Sequence, residues 1–213
     1  MSKKNVFVFG TRENSECCAH DINVNDPDAR LAGFVEDDPT CADKDGFPVL
    51  SYRELLSSLE NIYLIIPLSK NRLRHDIFLR AKRDGFSLYS FISPLARVWD
   101  RDIVGENCYI QEFNNLQFGT VVSDNCILWA GNHFGHHGTL GISSQLTSHV
   151  VVSGRCRIGQ FCYFGVNASV RDGVSITDKV VVGMNSGVTK SLHDSGLYVG
   201  FPAKRSGSYE QYI

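Results

Sequence analysis

The sequence predicts a small α/β domain of parallel βαβ units, followed by a parallel β-helix with a C-terminal cap. Two observations indicate this order: apolar strands and helical segments alternate over residues 1–90, and a repeat of six residues runs through most of the remainder. The composition agrees with a folded chain, because 43% of the 213 residues are hydrophobic and 21% are charged. A chain of this length also buries a sizeable core.

Residues 1–90 are predicted to form a small parallel sheet of the Rossmann-like kind. Short apolar runs predict strands at residues 5–9, 30–35, 62–66 and 86–91. Ser51, with Glu54 three residues later, is typical of a capped helix start. Residues 68–84 predict another helix, and its apolar face is formed by Leu73, Ile77 and Ala81. Because strands and helices alternate, we expect the strands to be parallel.

A repeat of six residues extends from Ile92 to Val188. Each of its seventeen positions holds Ile, Leu, Val or Phe, the position two before is mostly small, and the position just after is often glycine. A period of six fits neither an α-helix nor an alternating strand. It fits a parallel β-helix with flat sides of six residues, turned by residues that tolerate positive φ. We expect the large residue to fill the interior and the small one to fit where the corner tightens.

These patterns divide the chain into three predicted segments. The α/β domain takes residues 1–90 and the β-helix takes residues 91–190. Residues 191–213 leave the repeat, and we expect them to form a polar cap over the open end, which repeat proteins need.

Charge and composition exclude several classes of function. The chain carries 21 Lys and Arg against 23 Asp and Glu, so no basic field favours nucleic acid or an anionic membrane. The longest apolar run, residues 62–68, is too short to cross a bilayer, and the first residues lack the pattern of a secretory signal. The seven cysteines are an odd number without the spacing of a disulfide scaffold. We therefore expect a cytoplasmic protein with reduced thiols.

Four further segments, together with the repeat, carry a resemblance to a known family. They are Val6–Gly10, Gly33–Asp38 with Gly46–Val49, Asn132–His137 and Gly200–Lys204. The chain resembles the left-handed β-helix acyltransferases, and among them the nucleotide-sugar acetyltransferases. These enzymes acetylate UDP-, dTDP- or GDP-linked 4-amino-4,6-dideoxy sugars for bacterial surface glycans such as lipopolysaccharide. The resemblance implies a left-handed helix of triangular, eighteen-residue coils, acetyl-CoA as the acyl donor and a homotrimer.

The resemblance also implies which residues act on the acyl donor. His136 falls where the family has its general base, a role suited to a neutral histidine that must deprotonate an amine. Its neighbour His137 stands where the family often has an acidic residue, and it is either a partner of the base or a surface residue. The Gly154 amide is expected to face the thioester. Contacts with acetyl-CoA are implied at Gln145, Gly154, Val166 and Met184.

The nucleotide of the acceptor is expected on the N-terminal segment, again by resemblance. Gly10, Thr11 and Arg12 follow the first strand and would hold the diphosphate through backbone amides and the Arg12 charge. Asp37 and Asp38 follow the second strand and would hold the base or the sugar. The residues alone leave open an ordinary strand–helix turn at the first site and a polar loop at the second. Further candidates for phosphate or sugar contacts are Ser69, Asn71 and Arg74.

No metal is expected, although four histidines lie near one another in the sequence. They are His133, His136, His137 and His149. No two of them are eighteen apart, the spacing at which residues stack in such coils, so they should lie on the outer surface or at corners. Two other functions stay open. One is acylation of a hydroxyl, as on a sialic acid, or use of another acyl chain; the other is a non-catalytic scaffold that binds a nucleotide sugar.

Overall fold

The computed structural model describes residues 3–57 and 61–211. A six-stranded sheet with three helices forms its N-terminal part. The elements are β1 (Lys4–Phe9), α1 (Glu13–Asn25), β2 (Ala29–Glu36), β3 (Asp43–Lys44), β4 (Phe47–Ser51), α2 (Tyr52–Leu56), β5 (Ile62–Ile65), α3 (Asn71–Arg83) and β6 (Ser87–Leu88). The strand order is β3-β4-β2-β1-β5-β6, and all neighbours are parallel except β3 with β4. The predicted parallel sheet is therefore confirmed, whereas α1 was not predicted.

The helices show where sequence patterns were sufficient and where they were not. At the start of α2, Glu54 N donates to Ser51 Oγ at 3.2 Å and Ser51 N donates to Glu54 Oε2 at 2.8 Å, so the predicted cap is confirmed. In α3, Ile77 and Ala81 are buried as expected. Leu73 is 48% exposed, so its assignment to the apolar face was wrong. Arg74 takes the buried position instead, because α3 turns that face toward the coils that follow.

The rest of the chain winds into triangular coils. Their strands are β7 (Phe91–Ile92), β8 (Arg97–Val98), β9 (Tyr109–Ile110), β10 (Asn115–Leu116), β11 (Val121–Val122), β12 (Ile127–Leu128), β13 (His133–Phe134), β14 (Thr139–Leu140), β15 (Gln145–Leu146), β16 (Val151–Val152), β17 (Arg157–Ile158), β18 (Tyr163–Phe164), β19 (Ser169–Val170), β20 (Ser175–Ile176), β21 (Val180–Val182), β22 (Gly187–Val188), β23 (Gly196–Val199) and β24 (Lys204–Gly207). Two short 3₁₀ helices, Arg101–Ile103 and Tyr209–Gln211, accompany them.

Three parallel sheets form the sides of the triangle. Side 1 contains β9, β12, β15 and β18, side 2 contains β10, β13, β16 and β19, and side 3 contains β11, β14, β17 and β20. Paired residues in these strands are eighteen apart, as Asn115 is from His133. The coil length implied by the resemblance is thus confirmed. A residue and its counterpart eighteen positions later are direct neighbours.

The repeated apolar column fills the interior, as predicted. Its members from Ile110 to Val188 are all buried in one continuous core. The small column lies inside as well, and Cys108 and Cys126, eighteen apart, are both inaccessible to solvent. Burial raises the pKa of the Cys108 thiol well above its usual range, so this cysteine acts as a small neutral core residue.

The corners turn at a third column, which the sequence did not reveal. One residue in every six has a positive φ between 55° and 80°. These residues are Asn107, Phe113, Gly119, Asn125, Gly131, His137, Ser143, His149, Arg155, Phe161, Asn167, Gly173, Lys179 and Asn185. The glycines after the interior residues have another cause. A Cβ on Gly135 would lie 2.5 Å from Gly154 N, and one on Gly165 would lie 2.5 Å from Met184 N, so close approach of the next coil excludes a side chain.

The chain after Val188 closes the last coil. Leu192 bridges to Ile176, β23 pairs in parallel with β21, and β24 returns antiparallel to β23. Strands of the first sheet end at Leu88 and those of the coils begin at Phe91. The boundaries at residues 90 and 190 stay a prediction. Among the described residues, no helix is both long and apolar enough to span a bilayer.

The N-terminal part docks on side 1 and on the corner between sides 3 and 1. Tyr109 and Ile127, on side 1, belong to the same apolar cluster as Ile22 of α1. Arg74 is fully buried and donates to the carbonyl oxygens of Asn125 and Ser143, both at 3.1 Å. These contacts leave the opposite corner, between sides 2 and 3, facing away from the N-terminal sheet.

Candidate active site

A cleft of about 290 Å³ lies along side 2, next to the corner between sides 2 and 3. It is lined by Arg97, Trp99, Asn115, Leu116, Gln117, Phe118 and His136. The backbone N–H of His136 donates to Gln117 Oε1 at 3.2 Å, which fixes the turn that presents the imidazole. Because His136 is half-exposed, its imidazole ring stays accessible to a ligand in the cleft.

The imidazole of His136 lies over the backbone of Gly154, one coil along the same corner. A Cβ on Gly154 would lie 2.6 Å from His136 Nε2, so only glycine leaves room for the ring. Within residues 3–57 and 61–211, no acceptor reaches the Gly154 N–H. A histidine nitrogen and an unpaired backbone donor are therefore side by side. This is the pairing that acyl transfer needs, a base for the nucleophile and a donor for the oxyanion.

His137 contacts the candidate base directly. The two Nδ1 atoms are 3.1 Å apart, and the His137 ring packs edge-on against Phe118 with centroids 5.5 Å apart. One Nδ1 must donate to the other. With the proton on Nδ1 of His136, its Nε2 carries the free lone pair and faces Gly154, which is the tautomer that a general base requires. Of the two alternatives left by the sequence, the geometry favours His137 as a partner of His136.

Not all residues predicted to contact acetyl-CoA lie near His136 and Gly154. Val166 and Met184 are exposed one coil apart, on the corner between sides 1 and 2. Gln145 lies on side 1 and is only 3% exposed. In the orientation that satisfies its amide, its oxygen accepts from Trp129 Nε1 at 3.2 Å and its nitrogen donates to Ser69 O at 3.1 Å. The contact of Gln145 with acetyl-CoA stays a prediction, and docking of the N-terminal part covers this side chain within one copy.

The predicted nucleotide residues gather at one edge of the N-terminal sheet. Gly10, at φ 87°, Thr11 and Arg12 follow β1, and the two aspartates follow the adjacent parallel strand β2. Thr11 Oγ1 donates to Glu36 Oε1 at 2.6 Å, which fixes the first loop.

One of the charged candidates at this edge of the sheet already forms an ion pair within the protein. Asp37 pairs with Arg80 at 2.7 Å, whereas Asp38 and Arg12 are exposed. Two of the further candidates are excluded from any nucleotide site. Asn71 and Arg74 are buried in the junction between the domain and the coils, so that expectation was wrong.

The two groups of candidate residues lie far apart within one chain. The N-terminal part covers side 1 and the adjacent corner between sides 3 and 1. His136 and Gly154 lie on the corner opposite side 1. A single copy thus presents the two groups of candidate residues, called the candidate half-sites below, on different faces.

Comparisons with known proteins agree with this architecture. A family model described as the hexapeptide repeat of succinyl-transferase matches residues 155–190. PerB from Caulobacter crescentus, solved in complex with CoA and GDP-perosamine, is 26% identical with a TM-score of 0.85, over 95% of this chain and 97% of that chain. The chain shares its fold with PerB, and its residues 155–190 match the hexapeptide-repeat model. The predicted fold class and the resemblance to acyltransferases are confirmed.

Two further proteins are similar to this chain. The acetyltransferase domain of PglB from Neisseria gonorrhoeae FA1090, in complex with acetyl coenzyme A, is 25% identical with a TM-score of 0.86, over 96% of this chain and 100% of that chain. Probable UDP-3-O-acylglucosamine N-acyltransferase 2, mitochondrial, from Arabidopsis thaliana is 36% identical over 84 residues, 39% of this chain and 28% of that protein. The chain spans at most 33% of the first curated relatives it matches.

Proposed function

We propose that this protein is an N-acetyltransferase that moves an acetyl group from acetyl-CoA to the 4-amino group of a nucleotide-linked 4-amino-4,6-dideoxy sugar. One observation carries the proposal: His136 lines an open cleft, and its Nε2 lies 2.6 Å from where a Cβ on Gly154 would stand, next to a residue whose N–H has no acceptor among the described residues. The likeness to PerB over nearly the whole chain supports the same class of donor and acceptor. The product would serve bacterial surface glycans such as lipopolysaccharide, made in the cytoplasm.

The residues suggest how the transfer proceeds. The amine nitrogen attacks the thioester carbonyl, and a C–N bond forms while the proton of the nitrogen passes to His136 Nε2. The carbonyl oxygen becomes an oxyanion, which the Gly154 N–H would stabilise. Collapse of this intermediate breaks the C–S bond. The leaving thiolate takes the proton back from His136, so the free enzyme is regenerated.

The separation of the two half-sites supports a homotrimer as the working form. The candidate nucleotide residues and the candidate base face different directions within one chain, so a neighbouring copy must bring a nucleotide to His136. Val166 and Met184 lie on another corner than Gly154 and would reach the acyl donor only from a neighbouring copy. Val151 on side 2 and Val121 on side 3 are exposed apolar residues, suited to packing between copies.

The test is product mass from protein incubated with acetyl-CoA and a pool of UDP-, dTDP- and GDP-linked 4-amino-4,6-dideoxyhexoses. We expect one product heavier by an acetyl group. His136→Asn should lower its rate by about 100-fold or more, the contribution of a general base. His20→Asn, which changes an exposed histidine on α1, should leave the rate unchanged.

Other outcomes would contradict the proposal in distinct ways. Product formed only from hydroxyl acceptors would indicate O-acylation, and product formed only from a longer acyl-CoA would indicate another donor. Absence of any product, together with no CoA binding by calorimetry, would indicate a scaffold. Equal rates in wild type and His136→Asn would remove His136 as the base.

A further inference from the structure

A carboxylate lies on the other side of Gly154 from the candidate base. His136, Gly154 and Asp172 are successive members of one column, each eighteen residues from the next. A Cβ on Gly154 would lie 2.6 Å from His136 Nε2 and also 3.0 Å from Asp172 Oδ2. Since both atoms approach the same point so closely, one nitrogen just outside Gly154 could hydrogen-bond to both of them.

The Asp172 carboxylate is held in place but only partly engaged. Its Oδ1 accepts from Arg155 Nη2, and no donor in residues 3–57 or 61–211 reaches Oδ2. The Arg155 side chain is 62% exposed and that of Asp172 is 45% exposed. An ion pair so open to water neutralises little of the carboxylate charge. Oδ2 is therefore an anionic acceptor that faces the gap beside His136.

We propose that Asp172 binds the ammonium form of the acceptor's amine and makes the site selective for amines over hydroxyls. This inference rests on the proposed function. The ammonium would donate one N–H to Asp172 Oδ2 and another to His136 Nε2. His136 would take this first proton and pass it to solvent, and it is then free to take the second proton as the neutral amine attacks. A hydroxyl is neutral and gains less from the carboxylate, because it lacks the Coulomb attraction between the ammonium charge and the carboxylate.

The arrangement also compensates for a departure from the related enzymes. Where the resemblance led us to expect an acidic residue beside the base, this chain has His137. Asp172 supplies a carboxylate on the opposite, Nε2 side of the same imidazole. The negative charge is thus placed to act on the incoming amine as well as on the imidazolium that forms after proton transfer.

Two variants that break the same ion pair separate the two roles of Asp172. Asp172→Asn removes both the ion pair and the negative charge, whereas Arg155→Gln removes only the ion pair. With the amino sugar that wild type accepts, we expect Asp172→Asn to lower kcat/KM about tenfold, mainly through KM. Its kcat/KM for the matching 4-hydroxy sugar should stay within about twofold of wild type. Arg155→Gln should keep or raise the kcat/KM for the amine.

The pH dependence provides a readout that a purely structural role would not change. The defect of Asp172→Asn should shrink as the pH rises past the pKa of the acceptor's own amine, because the neutral amine has no charge for Asp172 to attract. Both variants should unfold at the wild-type temperature, since Asp172 is a half-exposed corner residue.

The remaining outcomes overturn the inference, alone or with the proposed function. Three outcomes would overturn the role of Asp172 and leave the proposed function standing, provided that the wild type is active. The kcat/KM of Asp172→Asn could equal that of the wild type, it could fall equally for amine and hydroxyl acceptors, or Arg155→Gln could lose as much kcat/KM as Asp172→Asn. A wild-type protein that acetylates no acceptor would overturn both.

Discussion

Removal of the Arg74 side chain should loosen the attachment of the N-terminal domain to the β-helix. The guanidinium is fully buried and donates to Asn125 O and Ser143 O on two successive coils, and to Asn71 Oδ1 at 3.2 Å within α3. Burial lowers the pKa of Arg74 to about 10, so the group is still charged at pH 7. No carboxylate among the described residues pairs with it. Its acceptors are backbone carbonyl oxygens and the Asn71 side-chain oxygen.

The expected magnitude follows from those acceptors. Arg74→Ala leaves two buried coil carbonyls without donors, and each such group costs about 1–3 kcal/mol. Together with the lost packing of a long side chain, we expect a destabilisation of about 4 kcal/mol. Arg74→Lys keeps the charge but loses the planar fork that reaches both carbonyls, and we expect about 2 kcal/mol.

Urea denaturation at fixed protein concentration measures the effect, with Arg72→Ala as the control. Arg72 is an exposed arginine two positions earlier on the same helix, and its removal should change stability by less than about 0.5 kcal/mol. If Arg74→Ala also stayed within that range, the coil carbonyls would have found water instead. The view of Arg74 as the main polar link between the two parts would then be refuted.

Two further predictions concern the site and the junction. Gly154→Ala should place a methyl group against His136 Nε2. Acetyl transfer should then fall by about 100-fold or more, since the base contribution is lost, while the circular dichroism spectrum stays unchanged. Activity near the wild-type level would show that the His136 ring does not act from this position. Burial lowers the pKa of His75, whose Nδ1 lies 2.8 Å from Ser143 Oγ at the junction. Because the unfolded chain then binds the proton more readily, stability should fall as the pH drops through and below the ordinary histidine pKa. His75→Gln should flatten this dependence in unfolding experiments at pH 5 to 7.5 (about the range in which histidine titrates), and a parallel decline in the variant would contradict it.

The interior of the β-helix could be predicted because its pattern is local and repeated. Each interior residue has the same surroundings as the one six positions earlier, so the type of residue alone reveals the column. The corner conformation did not have such a signal. Phe113, Arg155 and Lys179 all adopt positive φ, although large side chains disfavour it. The geometry of the coil imposes the conformation there, at whatever residue falls on the turn.

Residues at the junction could not be predicted from their own segments. Within its strand, Gln145 stands at an outward position, and only the docking of the N-terminal domain buries it. The burial of Arg74 has the same cause, since an arginine on a helix is normally exposed and only the docking of the domain on the coils covers this one. Asp172 is a different case. Asp172 is two coil lengths from His136 and one coil length from Gly154, so the sequence contained this signal once the coil length of eighteen residues was known.

Because residues eighteen apart stack in the β-helix, an insertion or deletion shifts the later residues out of their columns unless its length is a multiple of eighteen. Loss of a single residue after His136 would turn each later interior side chain toward solvent, whereas gain or loss of a whole coil would leave every column intact. A coil duplicated after Ile176 would lengthen the protein and keep His136, Gly154 and Asp172 adjacent. The same eighteen residues inserted between His136 and Gly154 would draw the base away from the amide by about 4.8 Å. The number of coils can therefore vary after Ile176, while the three coils that carry His136, Gly154 and Asp172 must stay consecutive.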